Sequence, residues 1–133
     1  MYKLYISYAN EDYDLAIKIQ DALKNNNINS SIIDHTSLNV NGDIAEAMYN
    51  EIKKYENILF LFSAYANESN FFAIELNAAV KRNKKIYILL LDESNMSDEL
   101  RFTTSNSIFL KYSGFKNSIK SLSDLITNGD ENE

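Results

Sequence analysis

Residues 57–62 read Asn-Ile-Leu-Phe-Leu-Phe, residues 86–91 read Ile-Tyr-Ile-Leu-Leu-Leu, and these two runs decide the fold. Each run is short and apolar at nearly every position, which is typical of a central parallel strand covered by helices on both faces. The spacing between them predicts a helix over residues 71–81. Two parallel strands joined by a helix form one crossover unit, so the middle of the chain predicts a parallel sheet.

The same alternation of strand and helix extends to both sides of this unit. Residues 2–8 form an aromatic and β-branched run, and Asn10 stands where an N-cap would begin a helix. Further strands are predicted over residues 31–34 and 108–110. Apolar residues recur at helical spacing in three further segments. They are Leu15, Ala16, Ile19, Ala22 and Leu23; Ile44, Ala47, Met48, Ile52 and Tyr55; and Phe115, Ile119, Leu122 and Ile126.

These elements predict an α/β, flavodoxin-like fold of three layers with a five-stranded parallel sheet in the order 2-1-3-4-5. We expect a single domain over residues 1–127 and a polar, acidic tail over 128–133, because 133 residues that are 45% hydrophobic suffice for one core. Ligands of such sheets bind beyond the carboxyl ends of the strands where the order reverses, here between strands 1 and 3. The loops over residues 7–12 and 63–70 are therefore the expected site.

Composition excludes several classes of function. The net charge of −6 is unfavourable for binding a phosphate backbone, so no nucleic-acid partner is expected. The absence of cysteine rules out disulfides and thiolate metal sites, and fits a reducing, cytoplasmic location. No apolar run approaches the ~20 residues of a membrane span, so no membrane partner is expected. His35 is the only histidine and cannot form a metal site alone, so we expect it to be a polar loop residue and expect no metal.

Two other classes of protein with this fold need residues that this chain lacks. A phospho-receiver domain requires acidic residues at the ends of strands 1 and 3, where this chain has Ser7-Tyr8 and Phe62-Ser63. A flavodoxin requires a glycine-rich and hydroxyl-rich phosphate loop after strand 1, whereas residues 8–12 contain no glycine and two acids. Both functions are therefore disfavoured.

Three blocks of sequence resemble Toll/interleukin-1 receptor (TIR) domains. Residues 2–8, which end in the pair Ser7-Tyr8, resemble the first TIR box. The segment from Asp34 through Gly42 to Ile44 resembles the second box and its BB loop. Residues 58–76 resemble the strand-3 region, in which Ser-x-Trp-Cys-x-x-Glu-Leu is typical. The blocks share the order and spacing of the NAD-consuming bacterial type, and the chain is similar to the TIR proteins of Thoeris-like anti-phage defence.

The resemblance implies that Glu75 is the catalytic carboxylate and that Phe71, four residues earlier, replaces the usual Trp. One carboxylate suffices for NAD, because nicotinamide is cationic in the substrate and leaves as a neutral molecule without protonation. The carboxylate then orients the ribose and stabilises an oxocarbenium-like centre. NAD is thus expected as the substrate, and no cofactor is expected.

The remaining candidate residues lie in the loops around the expected site. Ser7, Tyr8 and Asn10 are candidates for binding substrate at the end of strand 1. The resemblance adds Asp34, Gly42 and Ile44, from the loop that closes over substrate and pairs protomers in the family. The chain departs from the family in having no Trp and no Cys, and in having no Arg in the first loop or the loop after strand 2.

Three functions stay open at the level of sequence. The first is an NAD glycohydrolase or ADP-ribosyl cyclase whose nucleotide messenger reaches a separate effector in bacterial anti-phage immunity. The second is a non-enzymatic adaptor that acts through TIR–TIR contacts, and self-association is expected in either case. The third is an enzyme like the nucleoside deoxyribosyltransferases, which use a carboxylate at an anomeric carbon and exchange bases.

Overall fold

The computed structural model describes residues 2–35 and 44–131, and in these residues strands and helices alternate as the sequence predicts. The strands are β1 (Tyr2–Ser7), β2 (Ile28–Ile32), β3 (Asn57–Phe62), β4 (Lys85–Leu90) and β5 (Ile108–Lys111). The helices are α1 (Tyr13–Lys24), α2 (Ile44–Lys54), α3 (Asn70–Lys81), α4 (Asp98–Thr103) and α5 (Phe115–Glu131). Short 3-10 helices, Asn10–Asp12 and Ala64–Glu68, follow β1 and β3.

All neighbouring strands are parallel, and their order is β2-β1-β3-β4-β5. This confirms the predicted topology. The chain order reverses where β1 lies between β2 and β3, with Tyr5 opposite Ser31 on one side and Ile58 on the other. The carboxyl ends of β1 and β3 therefore meet at one edge of the sheet, where such folds bind ligands.

The sheet has a hydrophobic core on each face. Side chains alternate between the faces along β3, so Leu59 and Leu61 join one core while Ile58, Phe60 and Phe62 join the other. All five are fully buried, as the apolar run predicts. The first core includes residues of α1 and α5, and the second includes residues of α2, α3 and α4.

The second strand begins earlier than the predicted residues 31–34. β2 spans Ile28–Ile32 and pairs with β1 from Tyr2 onward. Asn27 has a positive φ of 65°, so the turn after α1 ends there and the chain enters the sheet at once. Because β2 is an edge strand, its polar middle residues remain partly exposed, and this conceals the strand in the sequence.

Three further differences between prediction and structure concern the helices. Asn10 does not cap α1, since it starts a 3-10 turn and α1 begins only at Tyr13. The helix α4 was not predicted, although Ser97 caps it by accepting a hydrogen bond from the Leu100 N–H at 3.2 Å. The last helix extends to Glu131, so the predicted boundary at residue 127 lies within α5.

Candidate active site

Glu75 is an acidic residue at a position of the helix whose neighbours belong to the hydrophobic core. Ser69 caps α3 by accepting a hydrogen bond from the Phe72 N–H at 3.2 Å, which fixes where the helix begins. The buried stripe of α3 then runs through Phe72, Glu75, Leu76 and Ala79, spaced as one helical face. Glu75 is 0% exposed in this stripe. Its carboxylate therefore points toward the sheet instead of toward solvent.

Two hydroxyl groups of β1 hold the carboxylate. The Tyr5 hydroxyl donates a hydrogen bond to one carboxylate oxygen of Glu75, and the Ser7 Oγ donates to the other at 2.8 Å. Tyr5 and Ser7 lie two residues apart in a strand, so their side chains share the face that α3 covers. The switch point of the sheet thus positions both donors against one acidic group.

No ion pair with a described residue compensates the Glu75 carboxylate. The ion pairs within residues 2–35 and 44–131 are Lys54–Glu51 and Lys84–Glu56, and neither involves Glu75. Burial raises the pKa of Glu75 from 4.5 to about 7, although the hydrogen bonds from Tyr5 and Ser7 act to lower it. Burying an acid without a cation costs free energy, so a functional role is the natural explanation. Because the carboxyl is fully covered, a substrate contacts it only after surrounding side chains move.

Three aromatic side chains, Tyr8, His35 and Phe71, form a cluster beside this acid, and we call it the aromatic cluster. The rings of Tyr8 and His35 stack with centroids 4.6 Å apart and an angle of 4°. The rings of His35 and Phe71 lie 4.7 Å apart at 48°. Phe71 lies one helical turn before Glu75, and the charge of Glu75 is among the influences that raise the pKa of Tyr8. The cluster therefore connects β1, the end of β2 and α3 next to the carboxylate.

His35 lies in the loop after β2, as predicted, but it is buried there. It is 7% exposed, and it lies within ring-contact distance of Tyr8 and Phe71. The Asn10 side-chain oxygen contacts its Nδ1. The sequence did not indicate this burial, because the partners come from separate segments, which meet only when β1, β2 and α3 assemble.

Hydrogen bonds also connect the loops at this edge of the sheet. The Ser63 Oγ, just after β3, donates to the Asp12 carboxylate at 2.5 Å. The Ala64 N–H donates to the Asp92 carboxylate, just after β4, at 3.0 Å. Burial raises the pKa of Asp12 above its ordinary value, while the Ser63 hydrogen bond lowers it. These contacts fix the loops that surround the site.

The sequence profile of the TIR domain family matches residues 4–123. The chain belongs to the TIR domain family. No curated protein is similar enough in sequence to match this TIR domain.

Solved structures resemble the TIR domain in fold at low sequence identity. The CMP N-glycosidase BcmB of Clostridium botulinum is 17% identical, with a TM-score of 0.68, over 90% of this chain and 96% of its own. The TIR domain of the Toll-related receptor TRR-2 of Hydra magnipapillata is 14% identical, with a TM-score of 0.67, over 99% and 97%. The TIR domains of the activated Roq1 resistosome are 14% identical, with a TM-score of 0.64, over 98% and 99%.

Most of the predicted site residues of this TIR domain lie together. Ser7 contacts Glu75, while Tyr8 and Phe71 belong to the aromatic cluster and Asn10 contacts His35. The charge of Asp34 acts to raise the pKa values of Tyr8 and His35, which places its carboxylate close to the cluster. Ile44 begins α2, and Gly42 lies outside the described residues.

Tyr5 and His35 are the site residues that the sequence did not identify. The signal for Tyr5 was its spacing of two residues from Ser7 on one strand, which places both on one face. The part of the TIR domain that the structure describes contains no cluster of acidic or histidine side chains suited to a metal ion. None of its described helices has the length and apolar character needed to cross a membrane.

Proposed function

We propose that this TIR domain cleaves the bond between nicotinamide and ribose in NAD, with Glu75 as the catalytic carboxylate. The observation that carries the proposal is the buried Glu75 carboxyl, which two hydroxyls hold at the switch point of the sheet and which forms no ion pair with a described residue. A carboxylate that is not neutralised by Lys or Arg is free to stabilise positive charge in a substrate. Positive charge develops on the ribose when an N-glycosidic bond breaks.

The reaction requires little from the protein beyond this anion. As the bond between the ribose C1′ and the pyridine nitrogen breaks, its electron pair moves to the cationic ring, which leaves as neutral nicotinamide. The ribosyl centre becomes oxocarbenium-like and is stabilised by Glu75. Addition of water, with loss of one proton, gives ADP-ribose, whereas attack by a nucleophile within the same molecule gives a cyclic isomer. NAD is consumed as a substrate in this scheme and is not a cofactor.

The proposal includes self-association and signalling. Residues 8–12, 33–43 and 63–70 contain no Lys or Arg, so these loops supply no cation for the diphosphate. A second protomer that contributes to the cleft would supply the missing groups. TIR domains are present as an assembly in the Roq1 resistosome, which is consistent with such pairing. A cyclic product would act as a messenger to a separate effector, as expected for anti-phage defence.

A nucleotide N-glycosidase is the second candidate, and a specific observation favours it. A neutral base such as cytosine leaves readily only when it is protonated, and the raised pKa of Glu75, about 7, would keep a proton available at neutral pH. The fold similarity to a CMP N-glycosidase points to the same class of substrate. In this candidate Glu75 acts as an acid, whereas in NAD cleavage it acts as an anion.

Product analysis separates these candidates from a non-enzymatic adaptor. The purified protein should be incubated at high concentration with NAD and, separately, with CMP and deoxynucleosides, and the products identified by mass spectrometry. We expect free nicotinamide with ADP-ribose or its cyclic isomer from NAD. Release of cytosine alone would support the second candidate, and base exchange would support a deoxyribosyltransferase. If all substrates remain intact, the non-enzymatic adaptor is the function that remains.

A further inference from the structure

His35 carries a buried polar atom that has no hydrogen-bond partner among the described residues. The side chain is 7% exposed, and its Nε2 makes no hydrogen bond within residues 2–35 and 44–131. Leaving a buried polar atom unpaired costs about 1–3 kcal/mol. A phenylalanine would fill the same space in an aromatic cluster without that cost. The presence of a histidine therefore points to a use for Nε2 that the described residues do not satisfy.

The imidazole ring is held in a fixed orientation. Tyr8 stacks on one of its faces, and Phe71 contacts it at a tilt. Tyr8 is itself fixed, because its hydroxyl donates to the carbonyl of Ile33 at 2.5 Å. In the ring plane, the side-chain oxygen of Asn10 contacts Nδ1. The ring has two nitrogen atoms. Nδ1 contacts Asn10, and Nε2 makes no hydrogen bond with the described residues.

The contacts also determine what Nε2 can bind. When an amide oxygen is the partner, Nδ1 donates the hydrogen bond and carries the proton, and the Asn10 oxygen is the atom that faces Nδ1. Burial lowers the pKa of His35, which favours the neutral ring, although the charge of Asp34 opposes this. A neutral imidazole protonated at Nδ1 has a lone pair at Nε2. In this tautomer Nε2 accepts a hydrogen bond, and a fully ionised phosphate, which has no proton to donate, does not suit it.

We propose that His35 is a specificity-determining residue whose Nε2 accepts a hydrogen bond from an N–H or O–H group of the substrate. The inference rests on the proposed cleavage of an N-ribosyl bond. Both ring partners of His35 lie near the catalytic carboxyl, since Phe71 lies one turn before Glu75 and the charge of Glu75 acts to raise the pKa of Tyr8. The donors near the scissile bond of NAD are the carboxamide of nicotinamide and the ribose hydroxyls.

Nitrogen NMR tests this directly, because His35 is the only histidine in the chain and gives one pair of imidazole signals in untagged protein. The catalytically impaired variant Glu75→Gln should be titrated with NAD. We expect a protonated Nδ1 throughout, and a shift of the Nε2 signal toward that of a hydrogen-bonded acceptor on saturation. Nicotinic acid adenine dinucleotide, which has no carboxamide, and analogues that lack a ribose hydroxyl should then be compared. The analogue that loses the shift identifies the donor.

Two different failures can be distinguished. NAD binding to the protein shifts backbone amide signals. If these signals reach saturation while the Nε2 signal is unchanged, the role of His35 is refuted and the proposed function is not. If neither NAD nor CMP perturbs any signal, the proposed function is refuted and the role of His35 with it.

Kinetics of two variants separate recognition from a structural role. His35→Phe keeps the aromatic packing and removes the acceptor, so kcat/KM should fall about tenfold while thermal stability is retained. His35→Gln, which restores an acceptor oxygen, should recover part of the loss. A purely structural role predicts the opposite result, in which His35→Phe lowers the melting temperature and leaves kcat/KM of the folded protein unchanged.

Discussion

Glu75→Gln should lower the rate of nicotinamide release from NAD at least ~100-fold, the effect typical of removing one preorganised electrostatic group from an active site. The change keeps the size and shape of the side chain and removes its charge. The amide can still accept a hydrogen bond from Tyr5 or Ser7, so the local packing should persist. Release of nicotinamide under saturating NAD, measured at pH 8 where wild-type Glu75 is ionised, gives the ratio of rates.

The matched control is Glu99→Gln. Glu99 is exposed in α4, so it undergoes the same chemical change outside the loops of the site. Its rate should remain within about twofold of wild type, since surface substitutions alter little. If Glu75→Gln also retains a rate near that of wild type, Glu75 is not the catalytic residue.

The same substitution should stabilise the protein at alkaline pH. The pKa of Glu75 is raised from 4.5 to about 7 in the folded protein, so the folded state binds the proton more tightly than the unfolded state does. The associated stability is complete below pH 4.5 and is lost as the pH rises through about 7. A change of this size corresponds to about 3 kcal/mol. Glutamine does not titrate, so the variant escapes this loss.

Urea denaturation of wild type and Glu75→Gln from pH 4.5 to 8.5 measures the effect. The free energy of unfolding of the variant, relative to wild type, should increase by about 3 kcal/mol across this range. Groups other than Glu75 titrate equally in both proteins and cancel in the difference. If the free energies of unfolding of the two proteins change in parallel with pH, Glu75 is ionised normally in the folded state. The description of Glu75 as an uncompensated buried carboxyl would then be wrong.

The sequence was sufficient for the fold because the decisive signals are local. The apolar runs of β3 and β4 could only be central strands, and the alternation of elements then determined the order of the sheet. β2 was misplaced because its polar residues, Asn29 to Ser31, lie at the sheet edge and show no apolar pattern. The helix α4 was missed although Ser97, followed by Asp98 and Glu99, is a typical helix start.

The site was only partly predictable. The resemblance to TIR domains identified Glu75 and Phe71, and the end of strand 1 identified Ser7. In the structure Ser7 donates a hydrogen bond to Glu75, and Phe71 contacts His35. A Glu in the core stripe of α3, between Phe72 and Leu76, is a signal of function that periodicity alone provides. The role of His35 could not be inferred, since its contacts come from β1, α3 and the first loop. Such contacts depend on the tertiary structure and leave no trace in local spacing.

The pH dependence of kcat/KM for nicotinamide release from NAD tests the central claim most directly, because the claim is that the ionised form of a buried carboxyl acts in catalysis. The rate constant should rise roughly 30-fold between pH 5.5 and 8.5, following the ionised fraction of one acid. Its midpoint should lie near the pKa of Glu75, about 7. A kcat/KM that is constant over this range, or that falls as the pH rises, would contradict the account, and a fall would indicate that protonated Glu75 acts as an acid.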